Sequence, residues 1–242
     1  GMSVLRAAYV AGVSSNEAAG QGAFFIRLEG PGIARGTFNF AAGAHGTAVA
    51  TGTHSRIAAK RVPINIKVTP GQEILIFAEL AGADMGTYQV GVTLEFGTEV
   101  GPEGATLSEI TVEGDITAVD TLTRLTAQGS VTAPSRLTPP DAKMLKRVLF
   151  AVASDAAADG EVSYILRLGG DAIKGGEQSI IIGAESWIDV ATGGDGMGVD
   201  MEVNMLDNLD LEITPNETLD VSVEMAGVDV GTATVVVTAV FA

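Results

Sequence analysis

The chain of 242 residues contains no cysteine. Disulfides, thiolate metal sites and cysteine nucleophiles are therefore excluded, and stability rests on packing. Aromatic residues make up only 5%, with Trp187 the single tryptophan. That is thin for a sugar-stacking platform or a base-stacking surface. Histidine occurs only as His45 and His54, with neither repeated in the second half of the chain, and zinc normally takes three or four His, Cys or carboxylate ligands, so a zinc site is not expected. The longest apolar runs, such as Ile180-Ile181-Ile182 and Val235-Val236-Val237, are far too short to span a bilayer. No transmembrane segment is expected. Residues 2–13 are apolar but interrupted by Arg6, and no clean cleavage site follows, which argues against a signal peptide.

Positive charge is also scarce, and its distribution is uneven. The net charge is −16. Residues 1–97 hold 7 Lys/Arg against 6 Asp/Glu, residues 98–143 hold 3 against 7, and residues 144–242 hold 4 against 17. An acidic field repels phosphate backbones, so direct nucleic-acid binding is not expected. A charge contrast of this kind suits two halves that face different neighbours.

What the chain does contain is a copy of itself. Residues 69–96 align with 214–241 without a gap, and 12 of the 28 positions are identical. The shared core is Glu79-Leu80-Ala81-Gly82-Ala83-Asp84-Met85-Gly86-Thr87 against Glu224-Met225-Ala226-Gly227-Val228-Asp229-Val230-Gly231-Thr232. Further upstream the shift becomes 140. Phe24-Phe25-Ile26-Arg27-Leu28 then meets Tyr164-Ile165-Leu166-Arg167-Leu168, and Leu5-Arg6 meets Leu145-Lys146. The second copy thus carries five extra residues between about 185 and 213, in a loop. The Gly-rich stretch 193–198 is the natural place.

The periodicity is that of strands. Ile64, Ile66 and Val68 alternate with Asn65 and Lys67; Leu219, Val221 and Val223 alternate with Asp220 and Ser222. Turn signals such as Pro70-Gly71, Ala81-Gly82 and Gly175-Gly176 recur at sandwich-like spacing. The first copy is expected to form strands near 4–12, 22–29, 33–41, 46–51, 56–68, 73–80 and 86–96. Residues 17–20 and 141–145 are the only helical candidates. The fold class is all-β: two tandem, internally duplicated antiparallel β-sandwiches over 2–97 and 144–242, joined by a β-containing connector over 98–143. Within the connector, Ile110-Thr111-Val112-Glu113 and Ile116-Thr117-Ala118-Val119 are expected to flank a hairpin turn at Gly114-Asp115. The first copy has nothing upstream to match 105–130.

No motif identifies a catalytic, cofactor-binding or metal-binding residue. The repeated Glu-x-Ala-Gly-x-Asp-x-Gly places two carboxylates around a tight turn, which is open to calcium. The structural reading is preferred: glycine supplies a positive φ, and aspartate bonds the turn's own amides. Residues 193–201, with Asp207 and Asp210 nearby, resemble a Gly-rich calcium repeat, but once only and with Gly198 where aspartate belongs. His45 and His54 read as surface-loop residues, and no nucleophile-elbow sequence accompanies them. Arg27 and Arg167, repeated in mid-strand, either pair with a carboxylate or point outward. Tyr9 and Trp187 stand isolated. Asn216-Glu217-Thr218 fits a glycosylation sequon, which carries no weight without a secretory signal.

Two duplicated sandwiches in tandem resemble the double jelly-roll major capsid proteins of tailless icosahedral viruses with an internal membrane. The resemblance is one of architecture and repeat length over nearly the whole chain, and fold by itself does not fix function. It implies two jelly rolls, a trimeric capsomer, other virion proteins as partners, assembly in the host cytoplasm, and no enzymatic activity or cofactor. The chain is short for that family, with little room for tower loops. Two rival classes remain: a carbohydrate- or ligand-binding module, and another structural component such as a tail or fibre protein. Strand order within each half separates a jelly roll from an immunoglobulin-like sandwich. A bicupin enzyme would need paired metal-binding histidines, which both halves lack.

Overall fold

The computed structural model describes residues 3–14, 20–47, 55–82, 86–101, 104–127, 137–154, 160–187, 201–202, 204–207, 209–227 and 232–242. The described chain is all-β, without a helix, and the helical candidate 141–145 is a turn leading into a strand. The first half forms six strands: β1 (Val4–Ser14), β2 (Gly20–Glu29), β3 (Thr37–Thr47), β4 (Ser55–Lys67), β5 (Leu75–Gly82) and β6 (Tyr88–Gly97). They make two antiparallel sheets, ordered β4-β1-β6 and β3-β2-β5. Strands were expected near 33–41 and 46–51, yet β3 is one strand beginning at Thr37. Residues 30–36 are a tight turn, because Gly30 (φ 109°) and Gly36 (φ 84°) take left-handed conformations that end β2 and start β3.

The second half repeats this order. β10 (Met144–Ser154), β11 (Gly160–Gly169), β12 (Gln178–Trp187), β16 (Asp220–Gly227) and β17 (Ala233–Phe241) take the places of β1, β2, β3, β5 and β6. The place of β4 is divided among β13 (Met201–Glu202), β14 (Asn204–Leu206) and β15 (Leu211–Glu212). β14 and β15 pair with β10, whereas β13 leaves its own half to pair with β3. Irregularities repeat as well. The register slips between Leu5 and Ala7 and again between Leu145 and Arg147, and between Phe24 and Phe25 and again between Tyr164 and Ile165. The turns after β2 and β11 share the same bonds: Ile33 N–H to Gly30 O and Ile173 N–H to Gly170 O.

The connector overturns the expected hairpin. β7 (Ser108–Ile116) runs straight through Gly114-Asp115 and pairs with β17 along its full length. Nine residues of continuous ladder outweigh one favourable turn dipeptide, and Gly114 instead lets the Leu125 side chain approach. β8 (Leu122–Arg124) then crosses to β16, and β9 (Thr126–Ala127) returns to β7. The connector therefore extends both sheets of the second half, giving β14-β10-β17-β7-β9 and β12-β11-β16-β8.

Two cores result, and they share a wall. β17 is buried over all nine residues. Ala233, Val235, Val237, Ala239 and Phe241 face the second-half core, whereas Val236 and Val240 join the first-half core. β10 divides likewise, with Leu145, Val148, Phe150 and Val152 on one side and Leu149, Ala151 and Ala153 on the other. The β10-β17-β7 sheet is thus sandwiched between the β11-β16 sheet and the β2-β3 sheet. Burial on both faces explains the run Val235-Val236-Val237, where a one-sided strand would alternate. Side chains of the second half also satisfy backbone amides of β3. Asn39 N–H donates to Glu109 Oε1 at 2.9 Å and Ala41 N–H to Thr238 Oγ1 at 3.0 Å.

Candidate functional site: a buried carboxylate and an open sheet edge

The residues singled out by sequence are scattered. His45 is a correction: it lies within β3 and is buried, because the strand continues through the Gly- and Ala-rich segment read as a loop. His54, Asp84, Asp229 and residues 193–200 lie outside the described residues. Asp207 and Asp210 do not converge on a cation. Asp207 pairs with the buried Arg147 at 3.2 Å, and Asp210 with Lys146 at 2.5 Å. Among the described residues no three His, Asp or Glu side chains are grouped to hold a metal ion. Tyr9 is exposed and donates to Glu95 at 3.2 Å.

The repeated arginines are paired. Arg27 meets Glu79 at 2.8 Å and Glu29 at 2.8 Å; Arg167 meets Glu224 at 2.5 Å and Glu177 at 3.2 Å. Glu79 and Glu224 are the first residues of the repeated turn motif, so its glutamate serves a cross-strand ion pair in both halves. Hydrogen bonding to Glu224 and Glu177 raises the Arg167 pKa still further. Arg61, at 3.2 Å, holds the Glu95 carboxyl below its usual range.

Two features that sequence reasoning did not single out stand apart. The first is Glu109, on β7, facing the first half. Burial pushes its pKa up to about 7, against the opposing pull of the Asn39 N–H and of Arg35. It borders a largely apolar cavity of about 210 Å³, lined by Ile33, Phe38, Ile66, Val100, Thr106 and Leu107 among others. Asn65, buried with φ 54°, closes the wall. Its Oδ1 accepts from Gly101 N–H at 2.9 Å and its carbonyl from Thr106 N–H at 3.1 Å. The Thr106 hydroxyl is buried without a partner. Nothing here forms a nucleophile–base pair. In sequence, Glu109, Thr111 and Glu113 alternate with Ile110 and Val112, the pattern of a solvent-facing side; only the second sheet stacked on it reveals burial.

The second is the side of the first half where β5 and β6 end their sheets. The duplication supplies an internal control. Ile76 is 43% exposed, and its counterpart Val221 0%; Phe96 is 37% exposed, and its counterpart Phe241 0%. Ile74, Leu80, Val90, Val92 and Leu94 are partly buried, whereas Leu219, Met225, Val235, Val237 and Ala239 are fully buried. The difference is β7 and β8. They pair with β17 and β16, and Val112, Ile116 and Leu125 fill the space between the sheets. Among the described residues, no strand does this for β6 and β5.

No protein-family model matches this sequence, and no curated protein or solved structure matches it either.

Proposed function

We propose that this chain is a non-enzymatic structural protein, a viral coat subunit built from two jelly rolls that assembles as a symmetric oligomer, with a trimer as the working unit. Strand order carries the reading. The second half runs β7-β17-β10-β14 in one sheet and β8-β16-β11-β12 in the other, so the chain crosses between sheets at every step of these eight strands except the β11-β12 hairpin, the order of an eight-stranded jelly roll. The first half follows the same order with six strands. Resemblance of fold alone is an associational argument, and three further features support it. The shared β10-β17-β7 wall fixes the two sandwiches to each other, which symmetric assembly requires of a building block. The charge contrast between halves lets unlike faces meet around a ring. Among the described residues, an apolar sheet edge has no partner strand.

Absolute mass by light scattering across a concentration series tests the proposal. A stable species near three times 24.7 kDa is the expected result. A strict monomer at every concentration refutes it and favours a binding module, for which the cavity beside Glu109 is the place to look.

A further inference from the structure

We propose that the open side of the first half is a self-association surface, on which a second copy of this chain docks across a twofold axis. The axis runs through both sheets, setting β6 against β6 and β5 against β5. This deepens the assembly reading above and rests on it only for its place in a shell, where twofold contacts join one capsomer to the next.

The observations specify the kind of partner. In the second half the equivalent edges are completed by antiparallel strands on both sheets at once, β7 on β17 and β8 on β16. A twofold axis normal to the sheets reproduces that arrangement, because it makes each edge strand antiparallel to its own copy. The clip at residues 108–127 is already committed to the second half, and among the described residues no other strand pairs with the open edges of the first. The sequences of the two edges suit pairing with themselves. In a register centred on Val92, Val90 lies opposite Leu94 and Tyr88 opposite Phe96 on the inner face. On the outer face Gln89 lies opposite Glu95, and Gly91 opposite Thr93. In β5, a register centred on Ala78 sets Ile76 opposite Leu80. No like charges meet in either register, which is what cross-strand pairing requires.

The usual protections of a free edge are also missing. Neither LIFAELAG nor YQVGVTLEFG contains lysine, arginine or proline, the devices that keep exposed edges apart. The carboxylates in these strands are occupied by arginines of their own sheets, Glu79 by Arg27 and Glu95 by Arg61. Inner-face apolar side chains are left half-exposed along both strands, so closing the seam buries them as β7 and β8 bury their counterparts.

The absence of cysteine makes the test direct. Single substitutions Val90→Cys, Val92→Cys and Leu94→Cys are oxidised in the full chain, with Gly36→Cys, at an open turn, as control. A residue on a twofold axis faces its own copy, and directly opposed strand residues approach within disulfide reach. The expected result is a cross-linked dimer from Val92→Cys and none from Gly36→Cys. Hydrogen exchange on the unmodified protein reads the same contact: amides of β5 and β6 slow as concentration rises. Ile76→Lys, at a position exposed enough for a folded monomer to accept it, raises the dissociation constant by about tenfold or more. An oligomer that cross-links at none of the three positions, with β5 and β6 exchanging freely, overturns this proposal and leaves the coat reading standing. Cross-linking at Val92 with no trimer at any concentration sustains the edge contact and refutes the trimer. A monomer with unprotected edges refutes both.

Discussion

Replacing Glu109 by glutamine removes one charge while keeping an acceptor for the Asn39 N–H. Burial raises the carboxyl from its ordinary 4.5 to about 7, so the folded state holds this proton more tightly than the unfolded chain does. The favourable contribution is therefore complete below the unfolded value. It is lost as pH rises toward 7, where a charge must be carried between two sheets. A shift of that size corresponds to about 3 kcal/mol once both states are ionised. Glu109→Gln should therefore match the parent within about 1 kcal/mol at pH 5 and exceed it by about 3 kcal/mol at pH 8. For a chain of this length that is roughly a 6 to 12 °C rise in Tm at pH 8. Urea unfolding of both proteins at the two pH values measures the difference. An equal effect at both, or a less stable variant at pH 8, would show that the carboxylate is solvated or compensated by Arg35, and the reasoning would fail.

Other substitutions probe the shared wall and the two edges. Thr238 accepts from Ala41 N–H and bonds Thr111 Oγ1 at 2.9 Å, both buried. Thr238→Val keeps the shape but orphans that amide and should cost about 1 to 3 kcal/mol in urea unfolding, most of which Thr238→Ser restores. Phe241→Ala opens a cavity in a closed core and should cost about 3 to 5 kcal/mol. Phe96→Ala, at the equivalent position on the open edge, should cost roughly half that or less in the monomer, because much of the ring is already hydrated. Gly170 has φ 87°, and a Cβ there would collide with the Thr218 carbonyl; Gly36 has φ 84° but open space around it. Thermal unfolding should show a loss of about 1 kcal/mol for Gly36→Ala and more than about 2 kcal/mol for Gly170→Ala.

The positions of the strands were legible where local chemistry and tertiary context agreed. Alternation in residues 64–68 and 219–223 marks real strands, β4 and β16, although Asn65 and Ser222 on their polar side are buried too, and Pro70-Gly71 and Gly175-Gly176 mark real turns. For the repeated Arg27 and Arg167 the sequence leaves two options, and neighbouring-strand glutamates at matching positions decide between them. Legibility failed where a neighbour from elsewhere in the chain changes what a residue faces. Gly114-Asp115 is a good turn dipeptide, yet β17 offers a nine-residue ladder and the strand continues. His45 sits among glycine and alanine and looks like a loop residue, but those small residues let β3 pack closely and bury it. Glu109 carries no local sign of burial at all.

The sequence by itself determined the unit: its strand content, its duplication, the five-residue offset, the absence of thiol chemistry and the charge contrast. These follow from periodicity and composition, which act over a few residues or are simply counted. Only the tertiary structure decided that the connector completes the second half alone. It also placed the β10-β17-β7 sheet as a common wall and, among the described residues, left the outer edges of β5 and β6 unpaired. Each of these depends on which surfaces meet across roughly a hundred residues of chain. Two copies of one unit can then differ from 0% to 43% in exposure at equivalent positions, because burial depends on the neighbours as well as on the residue.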